Sequence, residues 1–66
     1  MQITVNGQQR EAADELSLAE LVGQISDRDT GIAVALNSEV VPRGSWPATA
    51  VRPGDRIDVV TAVQGG

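Results

Sequence analysis

Only one stretch of this chain repeats with the period of a helix; the clearly patterned apolar segments around it repeat with period two. Leu18, Leu21, Val22 and Ile25 fall at i, i+3, i+4 and i+7 and so share one helical face. Ser17 stands in front as the N-cap, and Glu20 three residues later completes a capping box. Leu16, just before the cap, is placed to pack on Leu21 as a hydrophobic staple. Gly23 lies mid-helix at a cost of about 1 kcal/mol relative to Ala. The pattern predicts a helix ending near Ser26 or Asp27, then a loop to Gly31. A lone helix with one apolar face must bury it on something else, and the rest of the chain supplies strands.

Met1, Ile3 and Val5 alternate with Gln2 and Thr4, the pattern of a strand with one buried face. Asn6-Gly7 is a strong hairpin signal, and a second strand returns from Gln8 to about Ala12. Ile32 to Leu36 alternates again, with Ile32, Val34 and Leu36 on one face and Ala33 and Ala35 on the other. Asn37-Ser38 turns the chain into a short strand, Glu39 to Val41, stopped by Pro42. Proline cannot donate to a ladder, so this strand belongs at a sheet edge. Arg43 to Val51 is irregular, with room for a short helical turn. Arg52-Pro53-Gly54-Asp55 suits a type II turn. The segment from Arg56 to Val63 is the most β-branched and carries apolar residues on both faces, which places it centrally. The expected order is β-β-α-β-β-β, an α+β roll with a mixed sheet, one helix packed on one face, and the first and last strands parallel and adjacent. The expected core is Ile3, Val5, Leu18, Leu21, Val22, Ile25, Val34, Leu36, Val41, Ile57 and Val59.

With 66 residues this is one domain, 1–66, with little room for a core and an enclosed active site together. The chain has no Cys and no His, so disulfides, thiol chemistry and the usual metal-ligand sets are excluded, as is the usual general base near neutral pH. These absences argue against a self-sufficient enzyme. A net charge of −4 and a single aromatic residue, Trp46, argue against nucleic-acid binding. No apolar run approaches the roughly 20 residues that span a membrane, and the first residues do not read as a signal peptide. The expected location is the cytoplasm.

What remains for chemistry is the end of the sequence, Gly65-Gly66. The expected central strand stops at Val63, and three residues beyond it reach at most ~10 Å. A short flexible tail, 64–66, leaving a rigid body is a shape that a partner enzyme can thread into a narrow channel, and glycine suits such a channel because it lacks Cβ. The terminal carboxyl is ionised at neutral pH and is a poor electrophile. Acyl chemistry therefore requires activation by another protein, most simply as an acyl-adenylate made with ATP, from which a sulfur nucleophile displaces AMP to leave a thiocarboxylate.

Several motifs together give the chain a family resemblance: Met1-Gln2-Ile3, Val34-Ala35-Leu36-Asn37, Val41-Pro42-Arg43 with Trp46 shortly after, Gly54-Asp55-Arg56-Ile57, and Gly65-Gly66. Over essentially its whole length the chain resembles the sulfur carriers of thiamine biosynthesis (ThiS). Asn37, Val41-Pro42-Arg43 and Trp46 are the more discriminating part. The resemblance implies a β-grasp (ubiquitin-like) fold. It implies adenylation by an E1-like adenylyltransferase, with ATP consumed by that partner and no cofactor or metal held by the carrier. It also implies sulfur supply from a donor such as a cysteine desulfurase relay, and delivery to thiazole synthase. Gly66 is then the residue adenylated and converted to a thiocarboxylate, and Gly65 its required neighbour. Carriers for molybdopterin or cysteine synthesis and ubiquitin-like protein modifiers share the fold and the terminal glycines. The molybdopterin type has prolines before its end, where Thr61-Ala62-Val63-Gln64 has none.

Two further expectations concern the surface. If Ile57 and Val59 point inward, Val60 and Ala62 point outward, and with Ala33 and Ala35 they form a small apolar patch on which the activating enzyme can dock. Trp46 is expected to cover the edge of the core rather than to anchor a partner.

Overall fold

The computed structural model of the chain describes residues 1–26 and 31–61. Strand β1 (Gln2–Val5) leads through Asn6-Gly7 into β2 (Gln8–Glu11). Both loop residues have positive φ, 51° and 81°, the type I′ geometry whose twist matches the flanking strands. A two-residue strand β3 (Leu16–Ser17) precedes helix α1 (Leu18–Ile25). Strands β4 (Ile32–Leu36) and β5 (Glu39–Val41) come next, joined by Asn37-Ser38 with φ of 52° and 73°. Then come a 3₁₀ helix (Arg43–Ala48), strand β6 (Ala50–Val51) and strand β7 (Arg56–Thr61).

The main sheet has five strands in the order β2-β1-β7-β4-β5. As expected, β7 is central, parallel to β1 and antiparallel to β4, while β5 lies at an edge. The turn into β7 also has its expected form, with Gly54 at φ 84° and the Asp55 amide donating to the Arg52 carbonyl at 3.1 Å. Ala62 and Val63, the last residues expected in the final strand, and most of the loop from Asp27 lie outside the described residues.

Helix α1 begins as its sequence requires. The Glu20 amide donates to Ser17 Oγ at 3.0 Å, and the Ser17 amide donates to Glu20 Oε1 at 2.9 Å. Leu16 and Leu21, the staple pair, both belong to the buried core. The helix stops at Ile25, where Ser26 is the C-cap and its amide donates to the Val22 carbonyl. The apolar stripe packs with the inward faces of the strands, so that Ile3, Leu18, Leu21, Val34 and Ile57 are the most deeply buried side chains. None of the described helices is long and apolar enough to cross a membrane.

Two features depart from the sequence reading. First, β3 and β6 form a separate two-stranded sheet, with Leu16 opposite Val51 and Ser17 opposite Ala50. Next to it the Leu18 amide donates to the Thr49 carbonyl at 2.8 Å, tying the start of the helix to the end of the irregular segment. Second, the buried core includes Leu16, Trp46 and Val51, whereas Ile25, Leu36, Val41 and Val59 are only partly buried against it. These four lie at the end of α1, beside a solvent-facing turn, on the edge strand and near the far end of β7. There fewer neighbours cover a side chain. Trp46 takes the core position expected of it, and its indole Nε1 donates to the Val41 carbonyl at 2.9 Å. That bond satisfies the polar tip of an otherwise apolar residue.

Candidate functional site

Strand β7 is the element that leads to the C-terminal glycines, and it is held on both sides. On one side it pairs in parallel with β1 (Thr4 opposite Arg56, Val5 opposite Ile57); on the other it pairs antiparallel with β4 from Leu36 opposite Ile57 to Ile32 opposite Thr61. The start of β7 is thus held by strands on both sides and its continuation to Thr61 by β4, which commits main-chain donors and acceptors and limits fraying.

The entry to β7 is tied further by one asparagine. The Asn37 amide donates to the Arg56 carbonyl at 2.7 Å, and Asn37 Oδ1 accepts from the Arg56 amide at 2.9 Å. Asn37 Nδ2 donates to Asp55 Oδ1 at 3.1 Å, while Asp55 Oδ2 accepts from the Arg52 amide at 2.8 Å. Asn37 holds the left-handed conformation at the first position of its hairpin loop, where asparagine is tolerated better than most residues. The same residue therefore makes the turn and closes the ladder beside it.

Strand alternation gives β7 an inner face, Ile57 and Val59, and an outer face, Arg56, Asp58 and Val60. On the outer face Val60 lies opposite Ala33, Asp58 opposite Ala35, and Ala35 in turn opposite Val40 of the edge strand. Val60 is 59% exposed and Val40 is 71% exposed, the two large apolar residues most open to solvent among those described. Ala33 is exposed and Ala35 half-buried. Three of the four expected docking residues, Val60, Ala33 and Ala35, are thus brought together; the fourth, Ala62, lies outside the described residues. Val40 extends the patch by one strand. It was legible in principle, since an inward Val41 forces its neighbour outward. Beside the apolar residues, Arg56 Nε and Asp58 Oδ2 are 3.5 Å apart, an exposed arginine and a half-buried aspartate on the same face.

Gly65 and Gly66 also lie outside the described residues. The described part of the site is therefore a strand and a surface: a rigid base for the end of the chain, and an apolar patch on the strand's outer face. Among the described residues no cluster of three or more carboxylates is arranged to hold a metal ion.

The sequence matches the ThiS family over residues 3–66. It is 36% identical to the sulfur carrier protein ThiS of Escherichia coli over 66 residues, which cover all of both chains. It is 30% identical to a stretch of a thiazole synthase from Paramagnetospirillum magneticum; the match takes in all of this chain but only 20% of that protein. Among solved structures, the crystal structure of the thiamine biosynthesis protein ThiS from Geobacter metallireducens superposes with a TM-score of 0.88 at 32% identity, covering all of both chains.

Proposed function

The chain belongs to the ThiS family, the sulfur carrier proteins of thiamine biosynthesis, and from that premise we propose that Gly66 is its working residue and that its partners supply the catalysis. In this reading a carboxylate oxygen of Gly66 attacks the α-phosphorus of ATP on an E1-like adenylyltransferase. Pyrophosphate leaves and an acyl-adenylate forms. The terminal sulfur of a persulfide from a donor such as a cysteine desulfurase relay then attacks the acyl carbon and AMP departs, leaving an acyl disulfide. A second thiol attacks the donor cysteine's sulfur, forms a disulfide with it and releases the acyl sulfur. The product is a C-terminal thiocarboxylate, whose sulfur passes to thiazole synthase.

The observation that supports this most is that the family match continues through residue 66 and so includes the glycine pair. Gly65 serves the same step, since a residue without Cβ beside the reacting carbonyl lets the enzyme close around the main chain. A thiazole synthase partner is supported by the relative in which a stretch like this entire chain is part of a larger thiazole synthase polypeptide. The carrier itself needs no bound cofactor: ATP is consumed on the partner. The apolar patch of Val60, Ala33, Ala35 and Val40 is the surface we assign to the adenylyltransferase. An exposed aliphatic cluster on the strand that carries the reactive end docks the body and delivers the tail in one event.

Intact mass is the test. The protein is incubated with ATP, the E1-like enzyme and a sulfide or persulfide source. The expected result is a mass gain equal to one oxygen replaced by one sulfur, lost on deletion of Gly66. A variant lacking Gly66 that still takes up sulfur would overturn the assignment.

A further inference from the structure

The β1–β7 ladder ends in an unusual way. In a parallel pair alternate residues of one strand donate to the residue before their partner and accept from the residue after it. Here the Thr4 amide donates to the Asp55 carbonyl and the Asn6 amide to the Ile57 carbonyl, both at 2.9 Å. By that register the next bond would run from the Val59 amide to the main-chain carbonyl of Asn6. But Asn6 has turned into the hairpin loop at φ 51°. Its side chain takes over: Asn6 Oδ1 accepts from the Val59 amide at 2.8 Å, across 53 residues of sequence. Thus β7 keeps a partner on the β1 side two residues beyond Ile57, after β1 itself has left the sheet.

We infer that Asn6 is a positioning residue for the carrier reaction: its side-chain carbonyl fixes the course of β7 just before the strand passes into the five residues that end at Gly66. The inference rests on the proposed role of Gly66. On the β4 side, Val59 and Thr61 are already within the ladder, opposite Val34 and Ile32. On the β1 side the Asn6 bond is the next tie after the last backbone pair. Without it the end of β7 is held along one edge only and samples more directions. A tail that points correctly for a smaller fraction of the time binds with a correspondingly weaker apparent affinity.

Three substitutions separate this role from a merely structural one. Asn6→Gly keeps the left-handed turn and removes the acceptor. Asn6→Ser, whose side chain is too short to reach Val59, is the second truncation should the glycine variant not fold. Asn6→Asp keeps both turn and acceptor. The assay is adenylation of the full chain by the E1-like enzyme, followed by ATP–pyrophosphate exchange at varied carrier concentration, with amide exchange at Val59 measured in parallel. The expected result for the truncations is faster exchange at Val59 and a KM raised about fivefold, the scale of one neutral hydrogen bond, with kcat retained. Asn6→Asp is expected to stay within about twofold of the parent. An unchanged KM in a folded truncation with faster Val59 exchange would overturn the inference, as would a loss confined to kcat. So would an Asp variant as impaired as the truncations. Failure of the carrier reading looks different: the parent chain itself is not adenylated, and the inference falls with it.

Discussion

Gly23 and Gly54 look alike in one respect and opposite in another, which makes them a sharp test of how this small fold balances its backbone costs. At both positions an added Cβ would meet no heavy atom within 4 Å, so alanine creates no clash and fills no void. The difference is conformational. Gly23 has helical geometry near the end of α1 and is exposed, whereas Gly54 has φ 84° in the turn before β7. In a helix, Gly→Ala removes unfolded-chain entropy and stabilises by about 0.5–1 kcal/mol. At positive φ the new Cβ crowds the following carbonyl, at a cost of about 1–2 kcal/mol. Gly23→Ala should therefore raise Tm by roughly 2–8 °C for a domain of this size, with an unchanged urea m-value. Gly54→Ala should lower stability, leaving the two variants roughly 1.5–3 kcal/mol apart. Urea titration followed by far-UV circular dichroism measures both. Two variants that move in the same direction, or a Gly23→Ala midpoint at or below the parent's, would refute the reasoning.

Trp46→Phe removes the donor to the Val41 carbonyl and part of a buried side chain, and should cost about 1–3 kcal/mol in urea unfolding followed by circular dichroism. Val60→Asp puts a charge on the exposed patch without entering the core; stability should change by no more than about 0.5 kcal/mol while KM for adenylation rises, and an unchanged KM would remove the patch from the docking surface. A pH dependence arises from the Met1 ammonium, which donates to Glu11 Oε2 at 3.0 Å and lies 3.6 Å from Asp14. The bond to Glu11 raises the ammonium pKa above its ordinary 8.0, and the same bond, with help from Gln2, lowers the Glu11 pKa below its ordinary 4.5. The carboxylate's contribution is present above 4.5 and fades as pH falls through the depressed folded value; the ammonium's is present below 8.0 and fades as pH rises through the raised one. Glu11→Gln should therefore lower the urea midpoint slightly between these limits and converge with the parent in acid, and parallel profiles across the whole range would contradict the pairing.

Much of this fold is written locally. Ser17 and Glu20 start the helix through contacts three residues apart, and Asn6-Gly7, Asn37 and Pro53-Gly54 set turn geometry from their own φ preferences. Period-two alternation assigns Ile3, Val5, Val34 and Ile57 to the interior, and Pro42 marks β5 as an edge. The proposed role of the glycine pair rests on a similarly short signal, a motif whose meaning comes from its chemistry and its place after a strand. In each case the information lies within a few residues, which is the range over which side chain and backbone constrain one another directly.

What escaped that range was decided by packing. Strands β3 and β6 have two residues each, too few to show a period, and they exist because the start of the helix and the end of the irregular segment are brought side by side. Leu16 and Val51 are buried because they face each other there. Asn6 and Asn37 read in sequence as turn residues, Asn37 also as part of the family motif; their further task, gripping β7 from opposite sides, depends on partners 53 and 19 residues away. The sequence by itself determined which segments turn, coil or extend. Only the tertiary structure decided which polar side chains complete the central strand and which aliphatic ones remain open to solvent, because those outcomes depend on neighbours that the chain acquires when it closes on itself.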